Sequence, residues 1–342
     1  VARSLSAGAG LDAQRRIERR SRRTGYVVGA AVVAASIPVA SVFEMGSAQP
    51  VALLGVGVPV FFALAVRRGV LLAQQQCGRL AGSLFVEPVS RLVITLVALR
   101  AGLGTSSAAL GLIAAFAVGW LVARPAVGTI TGPAASTGVD TAVVATVMLL
   151  IGQVVIANGD LWVVSALRPA EAGIYAAVAL IGRLVYVASW SIVTVLFPSL
   201  VRGTNGDRTR LLRRGLGATA VVGSALSATA FAFGDHLVAG MVGSGYEGAG
   251  DLLGPYAVAT TLFVMANLVA VTDLAAGRRL LPFMMCCGAI VQTVVLLPLA
   301  HLSLQAVVIG QLVTMGALFV ATVAVSAARH SQRHRARPEE RH

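Results

Sequence analysis

Apolar residues gather along this chain into blocks divided by short polar connections. The blocks run roughly from Tyr26 to Phe43, Val51 to Val66, Leu84 to Leu99, Ser107 to Ala123, Val139 to Leu167, Ala172 to Leu200, Leu216 to Phe233, Leu252 to Ala275, Leu280 to Ala300 and Ser303 to Ala327. A helix needs about 20 apolar residues to cross a bilayer. The pattern therefore predicts an all-α, polytopic membrane protein with about ten transmembrane helices. The second and third blocks are short, so their ends are soft.

Arginine marks alternate connections. Arg15 to Arg23, Arg67, Arg68, Arg79, Arg124, Arg202 to Arg214, Arg278, Arg279 and the run from Arg329 fall on one side when the helices alternate, and only Arg100 and Arg168 fall on the other. Short Arg-rich loops stay in the cytoplasm. Both termini are thus expected there, with the protein in the cytoplasmic (inner) membrane. The expected organisation is a cytoplasmic Arg-rich segment (1–25), a first helical bundle (26–124), a linker (125–138), a second bundle of six helices (139–327) and a basic cytoplasmic tail (328–342). The polar, Arg-rich first 25 residues do not read as a cleaved signal peptide.

Composition agrees with this pattern: 57% of residues are hydrophobic, 12% are charged and the mean hydropathy is +0.83. A net charge of +13 raises the question of nucleic acid. Basic patches of that kind lie on soluble folds and are often interleaved with aromatics, whereas these Arg residues alternate with long apolar runs. No nucleic-acid partner is expected. Every basic residue is Arg, with no Lys, which reflects codon usage. Cys77, Cys286 and Cys287 form no C-x-x-C pair and are expected to be free thiols, and the scattered histidines suggest no metal site. The stretch GSGYEGAG, residues 243–250, contains G-x-G-x-x-G, but that fingerprint needs a preceding strand to hold a dinucleotide. Here it joins two apolar blocks on the Arg-poor, outward side, so a glycine-permitted turn is expected, and no cofactor. A cysteine at Ser244 should then be reachable from outside.

Internal similarity reveals more architecture. A shift of 199 residues superimposes Gly78-Arg79 on Gly277-Arg278, Ala101 on Ala300, Leu103 on Leu302 and Gly111 on Gly310 without a gap. The blocks from Tyr26, Val51, Leu84 and Ser107 then match those from Leu216, Leu252, Leu280 and Ser303. The pair covering 139–200 has no counterpart. Two pseudo-repeated bundles, four helices plus six, are predicted, as in transporters built from repeats. The shift also carries the expectation that roughly 60 residues of a complete two-lobed transporter are missing ahead of Val1.

The stretch from Asn158 to Leu200 resembles the seventh and eighth helices of Wzx-type polysaccharide flippases, members of the multidrug/oligosaccharidyl-lipid/polysaccharide exporter superfamily. The matching features are Asp160, then Glu171-Ala172-Gly173-Ile174-Tyr175, then Pro198-Ser199 at the helix end; the turn at Gly243 and Tyr246 to Ala249 matches a further family turn. The resemblance implies a transporter that moves a lipid-linked oligosaccharide or polysaccharide precursor by alternating access. Its first two family helices are absent from this sequence. A cation-coupled exporter of drugs or small molecules is the alternative, and a membrane-embedded polysaccharide-synthesis enzyme a third reading. No enzymatic constellation emerges from the short outward loops, so an enzyme is not expected. Partners implied are the lipid-linked glycan, membrane lipids, a coupling cation and polysaccharide-assembly proteins.

Ionisable residues inside a membrane usually face a cavity or a partner. Arg183, mid-helix, is the leading substrate contact because a guanidinium fork suits phosphate. The resemblance implies a cationic cavity at that position, and the structural alternative is a pairing with Asp160 or a backbone carbonyl. Asp160 is either a carboxylate for a coupling cation or for Arg183, or an interfacial charge. Asp273 is a substrate candidate whose bland alternative is a counter-ion role beside Arg278. Arg91 is a candidate too, set against an i, i+4 ion pair with Glu87. Asn158 and Asn267 complete the candidates; they and Gln153, Gln292 and Gln311 are also natural interhelical hydrogen-bond partners. The tail from Arg329 is expected to lie against anionic headgroups.

Overall fold

The computed structural model describes residues 11–335, except 75, 125–138, 203, 204, 244 and 247. The 125–138 linker, Ser244 and the end of the basic tail therefore lie outside the described residues. Two compact units divide the chain, Val1–Val139 and Asp140–His342. The described residues form helices joined by short turns, with no strand among them. Among the described residues, eight helices are long and apolar enough to cross a membrane, a bent pair makes another such span, and Ser106–Val122 is a shorter apolar helix. The chain is a polytopic membrane protein.

Unit 1 contains α1 (Leu11–Ala34), α2 (Ser36–Val42), α3 (Gln49–Ala73), α4 (Cys77–Arg100) and α5 (Ser106–Val122). The charged stretch ahead of Tyr26 is helical from Leu11 and runs into the first apolar block. Between α1 and α2 the axis turns by 48°. Pro38 lacks the N–H that would bond the carbonyl four residues back, and the Ser36 hydroxyl donates to Val33 O at 2.7 Å. Helix α3 continues past the soft end of its apolar block to Ala73, so Arg67 and Arg68 are helical rather than loop residues. Arg67 and Arg79 fold onto the C-terminal end of α5, where backbone carbonyls run short of helical partners. Arg67 Nη1 donates to Trp120 O at 2.6 Å, Ser83 Oγ to Gly119 O at 3.0 Å, and Arg79 Nη1 to Arg124 O at 3.0 Å.

Unit 2 contains α6 (Val139–Leu167), a 3₁₀ turn (Pro169–Glu171), α7 (Ala172–Arg202), α8 (Asn205–Met241), α9 (Ala249–Ala275), α10 (Leu280–Ala300) and α11 (Leu304–Arg335). The Arg-rich stretch after α7 is mostly the first turns of α8, and Arg208 Nε donates back to Leu200 O at 2.7 Å. Helix α9 is the centre of this unit, packed against α7, α8, α10 and α11. Before α9 the chain places Gly243 at φ 111° and Gly248 at φ 84°; glycine adopts such values without a Cβ clash.

The 199-residue shift has a structural image. In unit 1, α3 packs on α1, α4 and α5, and α4 packs on α5; in unit 2, α9 packs on α8, α10 and α11, and α10 packs on α11. Each contact has its counterpart. Gly111 and Gly310 occupy equivalent crossings: a Cβ on Gly111 would stand 2.0 Å from Thr95 Oγ1, and one on Gly310 would stand 2.3 Å from Leu299 Cδ1. The Gly78-Arg79 match is of another kind. Gly277 is a left-handed residue after α9, with φ 79°, whereas Gly78 is the second residue of α4.

Candidate functional site

Helices α6 and α7 form an antiparallel hairpin, and its inner face carries polar residues that three different helices complete. Asp160 on α6 and Tyr175 on α7 are both fully buried. The Tyr175 hydroxyl donates to Asp160 Oδ2 at 2.9 Å, and Gln311 Oε1 of α11 is 3.3 Å from the same hydroxyl. Tyr256 of α9, 2% exposed, meets the Tyr175 ring edge to face at 6.2 Å. Its hydroxyl lies beside both the Asp160 carboxylate and the Arg183 guanidinium. Gly182 makes room for that ring, since a Cβ there would stand 2.2 Å from Tyr256 Cδ1.

Arg183 sits two turns deeper on α7. Its Nη2 donates to Ala157 O of α6 at 2.8 Å. Asp160 feels its charge without a direct ion pair. The backbone-carbonyl partner foreseen for Arg183 is thus present, and the Arg183–Asp160 pair is not. Asp160 Oδ1 and Arg183 Nε are buried without a hydrogen bond of ordinary geometry. A buried polar group left without a partner costs free energy of about 1–3 kcal/mol, and more for charged groups. This hairpin therefore holds an acceptor and a donor poised for further partners. The interfacial reading of Asp160 is corrected: its helix runs seven residues further, to Leu167, and Tyr175, Tyr256 and Gln311 enclose the carboxylate.

The same face of α6 continues with amides. Gln153 Nε2 donates to Asn267 Oδ1 of α9 in a short contact, and Gln292 Nε2 of α10 donates to Ile156 O at 3.3 Å. Asn267 Nδ2 and Gln292 Oε1 are buried and lack partners. Asn158 turns away and bonds Val154 O of its own helix at 2.8 Å.

Asp273 lies apart from this group, at the other end of α9. It is 5% exposed, and its two oxygens take Arg278 Nη1 at 3.1 Å and Arg329 Nη1 at 2.9 Å. Arg329, expected to meet headgroups, instead ties α11 to α9. Arg91 is in unit 1, with an exposed side chain. Its expected i, i+4 partner is corrected: Glu87 pairs with Arg68 of α3 at 2.6 Å. Arg68 also bonds Ser83 Oγ at 3.0 Å and Ser83 O at 2.8 Å, a set of bonds that outweighs an exposed helical pair worth about 0.2–0.5 kcal/mol.

Of the six candidates, Arg183 and Asp160 converge, Asn267 borders them along α6, and Asn158, Asp273 and Arg91 do not join. Tyr256 escaped sequence reasoning, and Tyr175 was noticed only within a motif. A tyrosine at these places carried one available signal: each lies within two turns of a helix start, on the end of unit 2 where Asp160 also falls. That end has a cavity of about 400 Å³ lined by Glu171, Ile174, Gly248, Asp251, Leu252, Leu304 and Gln305. Glu171 is held there by Arg168 at 2.9 Å.

No family model matches the chain, and no curated protein matches it. Solved structures do. The chain is similar to the inward-facing conformation of a multidrug resistance MATE family transporter of the MOP superfamily, with a TM-score of 0.69 at 14% identity, covering 97% of this chain and 87% of that one. An outward-facing conformation of such a transporter gives a TM-score of 0.68 at 14% identity, covering 97% and 83%. A MATE in the straight conformation gives 0.60 at 12% identity, covering 97% and 84%. The chain shares the all-helical membrane fold of these proteins.

Proposed function

We propose that this protein is a membrane transporter that works by alternating access and carries a lipid-linked oligosaccharide or polysaccharide precursor across the cytoplasmic membrane. The transporter reading is supported by a fold shared with proteins solved both inward-facing and outward-facing. For the substrate, the carrying observation is Arg183. It is a partly buried arginine within an apolar helix, anchored through Nη2 and with a buried Nε that has no hydrogen-bond partner. Anchoring one nitrogen to Ala157 O fixes the plane of the fork and leaves donors for the oxygens of a diphosphate. Direction then comes from differential binding in the two states, while the lipid tail remains in the bilayer.

One observation favours the second reading, a cation-coupled exporter of small molecules. Asp160 Oδ1 is buried without a hydrogen bond beside two tyrosine hydroxyls, an oxygen-rich setting suited to a proton or a small hard cation. The test is reconstitution in vesicles with a fluorescent polyprenyl-diphosphate oligosaccharide in one arm and a lipophilic cationic dye in the other. Protein-dependent translocation of the glycolipid supports the first reading. Dye export driven by an imposed cation gradient, with no glycolipid movement, replaces it with the second.

A further inference from the structure

The Arg-rich end of unit 1 gathers more positive charge than the fold neutralises. The Arg67 guanidinium carbon stands 3.6 Å from the centroid of the Trp120 ring, while Nη1 is spent on Trp120 O. Arg79 reaches the same helix end through Arg124 O, and Arg124 itself is exposed, with no hydrogen bond from its side chain to the described residues. Arg124 is close enough to oppose Arg67 electrostatically, and Glu18 close enough to favour it.

Helix α1 adds to this group. A Cβ on Gly25 would meet Phe62 and Pro59, and one on Gly29 would meet Gly55 O, so α1 and α3 run antiparallel. That register carries the first turns of α1, with Arg19, Arg22 and Arg23 exposed, alongside the Arg67 end of α3. Among the described side chains at this end, two carboxylates face the Arg group: Glu18 near Arg67, and Glu87, deeper in the bundle, engaged by Arg68. The carbonyls of Trp120 and Arg124 take one N–H each from Arg67 and Arg79 and carry only partial charge. They cannot balance the guanidiniums.

Depth decides the partner. The apolar span of α3, Gln49–Leu72, has 24 residues, about 36 Å of helix at 1.5 Å per residue. A hydrocarbon core is about 30 Å thick, so Arg67, five residues before the end, lies close to the headgroup layer. Trp120 has the amphipathic ring that favours that layer. We infer that Arg67, Arg79, Arg124 and Trp120, with the first turns of α1, form a docking surface for the phosphate of an anionic phospholipid. The lipid phosphate sits between Arg67 and Arg124, relieves their repulsion, and lets its acyl chains follow α5.

The test follows Trp120 fluorescence in a chain with Trp162→Phe and Trp190→Phe. The chain is placed in phosphatidylcholine vesicles containing brominated phosphatidylglycerol or, at equal fraction and ionic strength, brominated phosphatidylcholine. The expected result is a preference of about fivefold for the anionic quencher, the share of roughly one basic residue at a membrane surface. Arg124→Gln, which removes no hydrogen bond to the described residues, should bring the ratio close to one, whereas Arg213→Gln in unit 2 should leave it unchanged. Equal quenching by both lipids in the unaltered background overturns the proposal. So does a preference that survives both Arg124→Gln and the double change Arg67→Gln/Arg124→Gln, or one that millimolar inorganic phosphate abolishes at constant ionic strength.

Discussion

Units 1 and 2 bring corresponding helices together and fill them differently. Where α3 packs among α1, α4 and α5, α9 packs among α8, α10 and α11, yet the buried polar residues of unit 1 among the described side chains are the serines Ser36, Ser83, Ser106 and Ser107. Unit 2 buries Asp160, Asp273, Gln153, Asn267, Gln292 and Gln311 with several hydroxyls. Serine hydroxyls can return a bond to a backbone carbonyl three residues back, as Ser36 and Ser107 do. Carboxylates and amides cannot be satisfied so locally and must find partners on other helices. The repeat therefore supplies a common frame; in unit 2 the α6–α7 hairpin adds Gln153 and Asp160, and amides and a carboxylate on α9, α10 and α11 stand where the matching helices of unit 1 bury only serines among the described side chains.

The largest effect that would sharpen this contrast is functional. Asp160→Asn retains an acceptor for Tyr175 and should leave the fold intact, while transport into vesicles falls at least about tenfold, the equivalent of 1.4 kcal/mol. Ser83→Ala in unit 1 should leave transport near normal, although Arg68 loses one bond. Equal losses in both would erase the distinction between the units.

Packing gives the next effect. Gly182→Ala drives a methyl into a buried tyrosine ring, and a cost near 3 kcal/mol is expected. In unit 1, Gly57→Ala meets Ile113 Cγ1 at 2.6 Å, a flexible and partly exposed side chain, so about 1 kcal/mol should suffice. Thermal unfolding in detergent would rank the two. Charge clusters come third. Asp273→Ala strands two guanidiniums, each about 30% exposed, and about 2 kcal/mol is expected after allowance for solvent. Glu87→Gln should cost less, since Arg68 keeps Ser83. The smallest effect belongs to Arg91→Gln, expected to alter neither stability nor transport beyond error; a clear transport defect would return Arg91 to the site.

Sequence patterns anticipated the helices well because transmembrane blocks are long and water-free connections are short. Their polar ends were harder to read. The α3 helix runs through Arg67 and Arg68, whose stems stay in the apolar layer while their heads find Trp120 O of α5 and the Ser83 and Glu87 side chains of α4. The hairpin from Asp160 to Arg183 was legible as a candidate since charges inside apolar runs are rare. Tyr256 was not, because a tyrosine in an apolar block looks like any large side chain until the fold sets it beside Asp160, almost a hundred positions away. The same holds for Glu87 and Arg329. Each had a plausible neighbour in sequence or solvent, and each is held by a partner on another helix.

Arg183 gives the most direct test of the account. Glycolipid translocation should be measured in vesicles for the unaltered chain, Arg183→Lys and Arg183→Ala, with incorporation matched by quantitative blotting. The account predicts that Arg183→Lys keeps part of the rate, because charge survives without the planar fork, and that Arg183→Ala loses it. Full activity in the Ala variant would contradict the account.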